Sequence, residues 1–183
     1  AGAAAPAAPS TGRPLQVAAV AFSGRRKFPG RREAAGETNS FKTHLFAIAL
    51  HRDIFLWDLE KKELWGSFHL PQEERLESVA LSADGQYLAY GGAHQVACVV
   101  FLDHLGKAEA AETDRPERQQ NEVLARFSRK DKVWAVSLSS NGSVLGVGDN
   151  TGCLSVFDVK SGAELRRGRQ EKAVRALALA PGG

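Results

Sequence analysis

The 183-residue chain contains no methionine, two cysteines and few aromatic side chains, 8% in all. Each shortage excludes something. The lone cysteines, Cys98 and Cys153, form no CxxC metal pair, and the five histidines (His44, His51, His69, His94, His104) show no HExxH spacing. Neither a GxxxxGK(S/T) phosphate loop nor a GxSxG nucleophile elbow occurs. Nothing approaches ~18 consecutive apolar residues, so no transmembrane helix is expected. The Ala/Pro-rich stretch 1–14 has neither a basic start nor a leucine-rich core, which makes it a poor signal peptide and a disordered tail. A net charge of +3 does not by itself mark a nucleic-acid binder. The expectation is a non-enzyme with no cofactor, metal or small-molecule substrate. Two cysteines read as small buried apolar residues suit a reducing, cytoplasmic compartment.

What the chain does have is a rhythm. Between 133 and 162 three short apolar runs are separated by Asn141-Gly142 and by Asp149-Asn150-Thr151-Gly152, and a fourth follows at 164–167. Short Val/Leu-rich runs divided by such turn signals read as antiparallel strands. The pattern recurs: Ser82-Ala83-Asp84-Gly85, Ser139-Ser140-Asn141-Gly142 and Ala180-Pro181-Gly182-Gly183 each close an alternating apolar strand. The second and third are 41 positions apart, the size of one propeller blade. The first and second are 57 apart, which returns to about one blade if the polar stretch 103–121 is an insertion. Third strands end in Trp57-Asp58, Leu102-Asp103 and Phe157-Asp158.

An apolar–Asp pair closing the third strand of each unit resembles the tryptophan–aspartate (WD) repeat family of β-propellers. The resemblance spans about 15–183 and implies an all-β fold of four-stranded antiparallel blades. Blade one covers 15–68 with a polar loop at 23–43. Blade two covers 76–128 with the insertion, blade three covers 132–168, and 173–183 opens a fourth with its first strand. A propeller closes with about four to eight blades. The rest of the ring is therefore expected from a longer chain, of which this is a fragment, or from a second copy. An arc of three blades leaves the apolar faces of its end blades uncovered.

Many WD repeats share a buried hydrogen-bonded set of His, Ser or Thr, Asp and Trp. Trp57 fills the Trp position in blade one, while Leu102 and Phe157 replace it elsewhere. The Asp position holds His51 in blade one and Thr151 in blade three. Arg129-Lys130-Asp131-Lys132 and Gln170-Glu171-Lys172-Ala173 stand where Gly-His would precede the inner strands. The set is expected to be largely absent, leaving β-pairing and apolar packing to hold each blade.

The family implies a protein-interaction scaffold, whose partners meet the loops on the inner-strand side. Those loops carry His51, Arg52 and Asp53; His94; Arg129, Lys130 and Asp131; and Asp149 and Asn150. Two alternatives involve basic stretches. Leu165-Arg166-Arg167-Gly168 looks like the FRRG signature of phosphoinositide-binding propellers, which implies membrane recruitment through Arg166 and Arg167. Five Arg/Lys within 25–32 suit a nuclear-import or RNA contact.

Overall fold

The computed structural model describes residues 17–27, 42–70, 75–102 and 123–180. They form three four-stranded antiparallel sheets. The first contains β1 (Val17–Lys27), β2 (Lys42–Leu50), β3 (Asp53–Asp58) and β4 (Glu63–His69). The second contains β5 (Leu76–Leu81), β6 (Tyr87–Gly92), β7 (Val96–Phe101) and β8 (Val123–Ser128). The third contains β9 (Val133–Leu138), β10 (Val144–Asp149), β11 (Cys153–Asp158) and β12 (Glu164–Arg169). Chain order is spatial order in each sheet. The first strands β1, β5 and β9 lie against one another in succession. These are three blades of an open β-propeller. The expected tail 1–14 and insertion 103–121 lie outside the described residues.

The turn between first and second strands is built twice with the same atoms. Ser82 Oγ accepts from the Tyr87 amide at 3.0 Å and donates to Asp84 Oδ1 at 2.6 Å. Ser139 Oγ accepts from the Val144 amide at 3.0 Å and donates to Asn141 Oδ1 at 3.0 Å. Gly142 sits at φ 69°, and a Cβ there would run into the Tyr87 ring of blade two. Gly142→Ala should therefore cost about 1–2 kcal/mol from the left-handed backbone alone, and more from the clash. The readout is a lower urea midpoint at unchanged slope. A loss no larger than the backbone cost would show that Tyr87 turns aside, and an unmoved midpoint would contradict the strained turn itself.

Backbone register corrects the sequence alignment of the third strands. The amides of Leu59, Leu102 and Val159 make the same bond, to the carbonyls of His44, Gln86 and Ser143. Asp58, Phe101 and Asp158 are therefore equivalent, and Leu102-Asp103 is two residues out of step with Phe157-Asp158. Strand alternation could not reveal this, because a two-residue slip preserves it; the signal was the 57-position spacing of the Ser82 and Ser139 turns, which equals that of Phe101 and Asp158. The aspartate at this position caps the next turn. Asp58 Oδ1 accepts from the amides of Glu60 and Lys61, and Asp158 Oδ1 from the amide and hydroxyl of Ser161. The same register makes Cys98 equivalent to Ser155 rather than to Cys153. Both cysteines are free; Cys98 is buried, but Cys153 is only half-buried.

Alternation along each strand decides which blade a side chain meets. Leu45, Ala47, Ile54 and Leu56 of blade one pack on Leu76, Val79, Leu88, Tyr90, Cys98 and Val100 of blade two. The opposite residues of blade two, Ala89, Ala97 and Val99, join Phe127 against Val133, Leu145, Val147 and Phe157. Blade two is thus apolar on both faces. Val17, Val20 and Phe22 stay 52–63% exposed on blade one.

Two segments depart from the expected strands. The loop expected from 23 is still strand as far as Lys27, where Arg25, Arg26 and Lys27 pair with His44, Thr43 and Lys42. Ladder bonds are made by the backbone, so cationic side chains do not end them. Residues 173–180 occupy the place of a fourth blade's first strand but form no ladder. The first strand of a blade pairs with that blade's second strand, and residues 173–180 have no such neighbour among the described residues. The segment is instead held by Val174 N–H to the Asp149 carbonyl at 3.1 Å and by Leu179 N–H to Ser137 Oγ at 3.1 Å. Gly148 admits Val174 as Gly91 admits Val133; a Cβ on either glycine would clash.

Candidate interaction face

Because strands alternate in direction, the turns β2–β3, β6–β7 and β10–β11 share one end of the stack with the inter-blade connections. Each connection is tied to the turn beside it. Leu70, Arg129 and Gln170 donate their amides to the carbonyls of Arg52 (2.9 Å), Gln95 (2.6 Å) and Gly152 (2.9 Å). The loops therefore sit on a fixed frame.

The expected partner residues divide into two groups. Lys130, His94 and Asn150 are exposed, and His51, Arg52, Asp53 and Asp131 are exposed or half-buried. Asp53 Oδ1 lies 2.5 Å from His69 Nδ1. Asp131 accepts from Asn150 Nδ2 at 3.0 Å and from the Lys132 amide at 2.6 Å. Those two bonds hold its carboxyl below the usual carboxylate range. Asn150 in turn accepts from Trp134 Nε1 at 2.9 Å.

Arg129 and Asp149 do not belong to the surface. Their side chains are 5% and 0% exposed, so they turn inward rather than toward a partner. Arg129 Nε and Nη2 donate to Asp149 Oδ2 at 3.3 and 3.1 Å, and Nη1 donates to Ser155 Oγ at 2.8 Å. Asp149 Oδ1 accepts from the Thr151 hydroxyl and from the amides of Thr151 and Cys153. Burial alone would raise the Asp149 pKa. The hydrogen bonds from Thr151, Cys153 and Arg129 outweigh it and hold the carboxyl below its ordinary value. Blade three thus has a buried polar network after all, built from Arg, Asp and Ser. Blade two puts Leu70, Gly92 and Cys98 at the corresponding positions, and they line a small cleft there.

Other residues at this end were not singled out from sequence. Trp134 carries Lys132 Nζ 3.8 Å and Arg175 Cζ 4.3 Å from its ring centroid. Lys132 is also paired with Glu77 at 2.5 Å. Residues 132 and 134 share a strand face by simple alternation, which was the available signal. The partner from 175 was not foreseeable, since it depends on how the trailing segment lies.

The basic stretches lie elsewhere. Arg166 and Arg167 project from the outer strand β12, every residue of which is exposed. Arg167 Nη2 is 2.7 Å from Glu164 Oε2, so one of the two guanidinium groups is already paired. Hydrogen bonds from Ser155 and Arg167 keep the Glu164 carboxyl below its ordinary value. Of the 25–32 cluster, only the backbone of 25–27 falls within the described residues.

No protein-family model and no curated relative matches the chain. Among solved structures, a chain of the crystal structure of the mitotic checkpoint complex is similar in fold, with a TM-score of 0.60 at 18% identity. The match covers 76% of the present chain and 40% of that chain. At this identity the likeness is one of backbone architecture. The chain spans less than half the length of the protein it resembles.

Proposed function

We propose that the chain is a divergent segment of a WD-repeat β-propeller that serves as a non-catalytic protein-interaction scaffold, in the cytoplasm. The observation that carries this is the end of the stack just described. Three rigid sheets hold adjacent turns and connections in register; His94, Lys130 and Asn150 stand there exposed, and Arg52, Asp53 and Asp131 stand there half-buried. Binding residues on loops fixed by a packed framework suit recognition of another protein. The fold's occurrence in a chain of a multi-protein complex supports the same reading.

The test is retention of a purified partner, first identified by cross-linking to the intact chain. Arg52→Glu and His94→Glu lie in different blades and should each weaken saturable one-to-one binding by roughly tenfold, while circular dichroism stays unchanged. Arg166→Ala/Arg167→Ala should leave it intact. If only the β12 pair matters, or if binding appears only on phosphoinositide liposomes, the scaffold reading fails and the membrane alternative replaces it.

A further inference from the structure

We infer that the end of blade three around Trp134 binds an acidic polypeptide segment of a partner; the inference rests on the scaffold reading and specifies the chemistry of that partner. Charge placement carries it. Carboxylates at this end are already used internally: Asp149 by Arg129, Glu77 by Lys132 and Arg75, Asp131 by Asn150 and the Lys132 amide, Asp53 by His69. The cations Lys130, Lys172 and Arg175 are exposed and have no carboxylate partner among the described residues. Of the described carboxylates beside them, Glu171 is fully exposed, and the half-buried Asp131 is already bonded to Asn150 and the Lys132 amide. Asp149 and Glu77 face inward, and Asp53 and Asp131, though partly exposed, already have partners, so the outward bases leave a positive rim although the chain as a whole is only +3.

The rim is also held in place. Trp134 is anchored through Nε1 to Asn150, which is anchored to Asp131. The ring then supports Lys132 and Arg175 by cation–π contact. Arg175 lies beside the β10–β11 turn because the Val174 amide is bonded to the Asp149 carbonyl. A guanidinium resting on an aromatic ring has lost side-chain freedom before binding and keeps its N–H groups for a carboxylate. The same arrangement disfavours single-stranded nucleic acid. Base stacking needs a free aromatic face, and the Trp134 ring already carries two cations.

The test is fluorescence anisotropy with the intact chain and three labelled short peptides: Asp/Glu-rich, its Asn/Gln counterpart, and a Lys/Arg-rich one. The acidic peptide should bind, and more weakly as salt rises. Lys130→Glu and Arg175→Glu should each reduce its affinity by roughly tenfold or more, because like charges then face each other. Arg166→Glu on β12 should change nothing, and equal urea midpoints confirm that the variants are folded. Equal binding of the Asn/Gln peptide, or indifference to both charge reversals, overturns the inference. So does a single-stranded RNA oligonucleotide that displaces the peptide and depends on the same two residues. Partner retention in the Arg52→Glu and His94→Glu variants is decided separately, so the acidic-partner inference can fail while the scaffold reading stands.

Discussion

Asp149→Ala should destabilise the chain by about 3–5 kcal/mol, the usual effect of removing one member of a buried ion pair. The Arg129 guanidinium, 5% exposed, would keep only Glu164, 3.9 Å from Nη1, as a counter-charge, and the Thr151 and Cys153 amides would lose their acceptor. The measurement is urea unfolding followed by far-UV circular dichroism. Changing both partners should be milder than changing one, because apolar packing can replace a buried pair at little net cost. Arg129→Leu/Asp149→Leu is the informative double variant: Leu70 stands at the first position in blade two and Leu50 at the second in blade one. A double variant worse than both singles would show that the network provides something packing cannot. The pH dependence follows from the sign of the shift. Asp149 titrates lower in the folded chain than in the unfolded one. Its contribution is therefore fully present above the unfolded carboxylate pKa of about 4 and lost as pH falls through the folded value. Acid unfolding of Asp149→Asn should accordingly be shallower than that of the parent chain.

Leu145→Ala should lower stability by about 2–5 kcal/mol, the range for a fully buried leucine whose cavity cannot collapse. Leu145 is 0% exposed on β10 and belongs to the cluster in which Ala89, Ala97 and Val99 of blade two meet Val133, Val147 and Phe157. Removing it loosens a contact between blades as well as within one. In a stacked architecture that contact is part of what each unit requires to fold. Leu165→Ala is the control. It removes the same atoms from a position 46% exposed on β12 and should stay within about 0.5 kcal/mol. For a chain of this size the difference corresponds to roughly 2–4 °C of melting temperature per kcal/mol. Equal losses at 145 and 165 would mean that blades two and three do not pack as described.

The strand rhythm and the division into blades were legible because both are local. A Ser-x-Asn-Gly turn such as 139–142 bonds to itself within a few residues, and period-two alternation names the faces of a strand. Exposed loop residues such as Lys130 and His94 could be placed from the turns alone. The sequence by itself thus determined the three sheets, their order and the end on which the loops gather. Which polar residues turn inward was decided only by tertiary structure. Arg129 and Asp149 are 20 positions apart and Arg129 and Ser155 are 26 apart, so no window shows them as partners, and in the sequence they are indistinguishable from their exposed neighbours Lys130 and Asn150. The same holds for Trp134 and Arg175, which meet only because the trailing segment lies against blade three. In each case the deciding bond joins blades or strands that meet only after the chain has stacked. Burial of a charge depends on finding its counter-charge there.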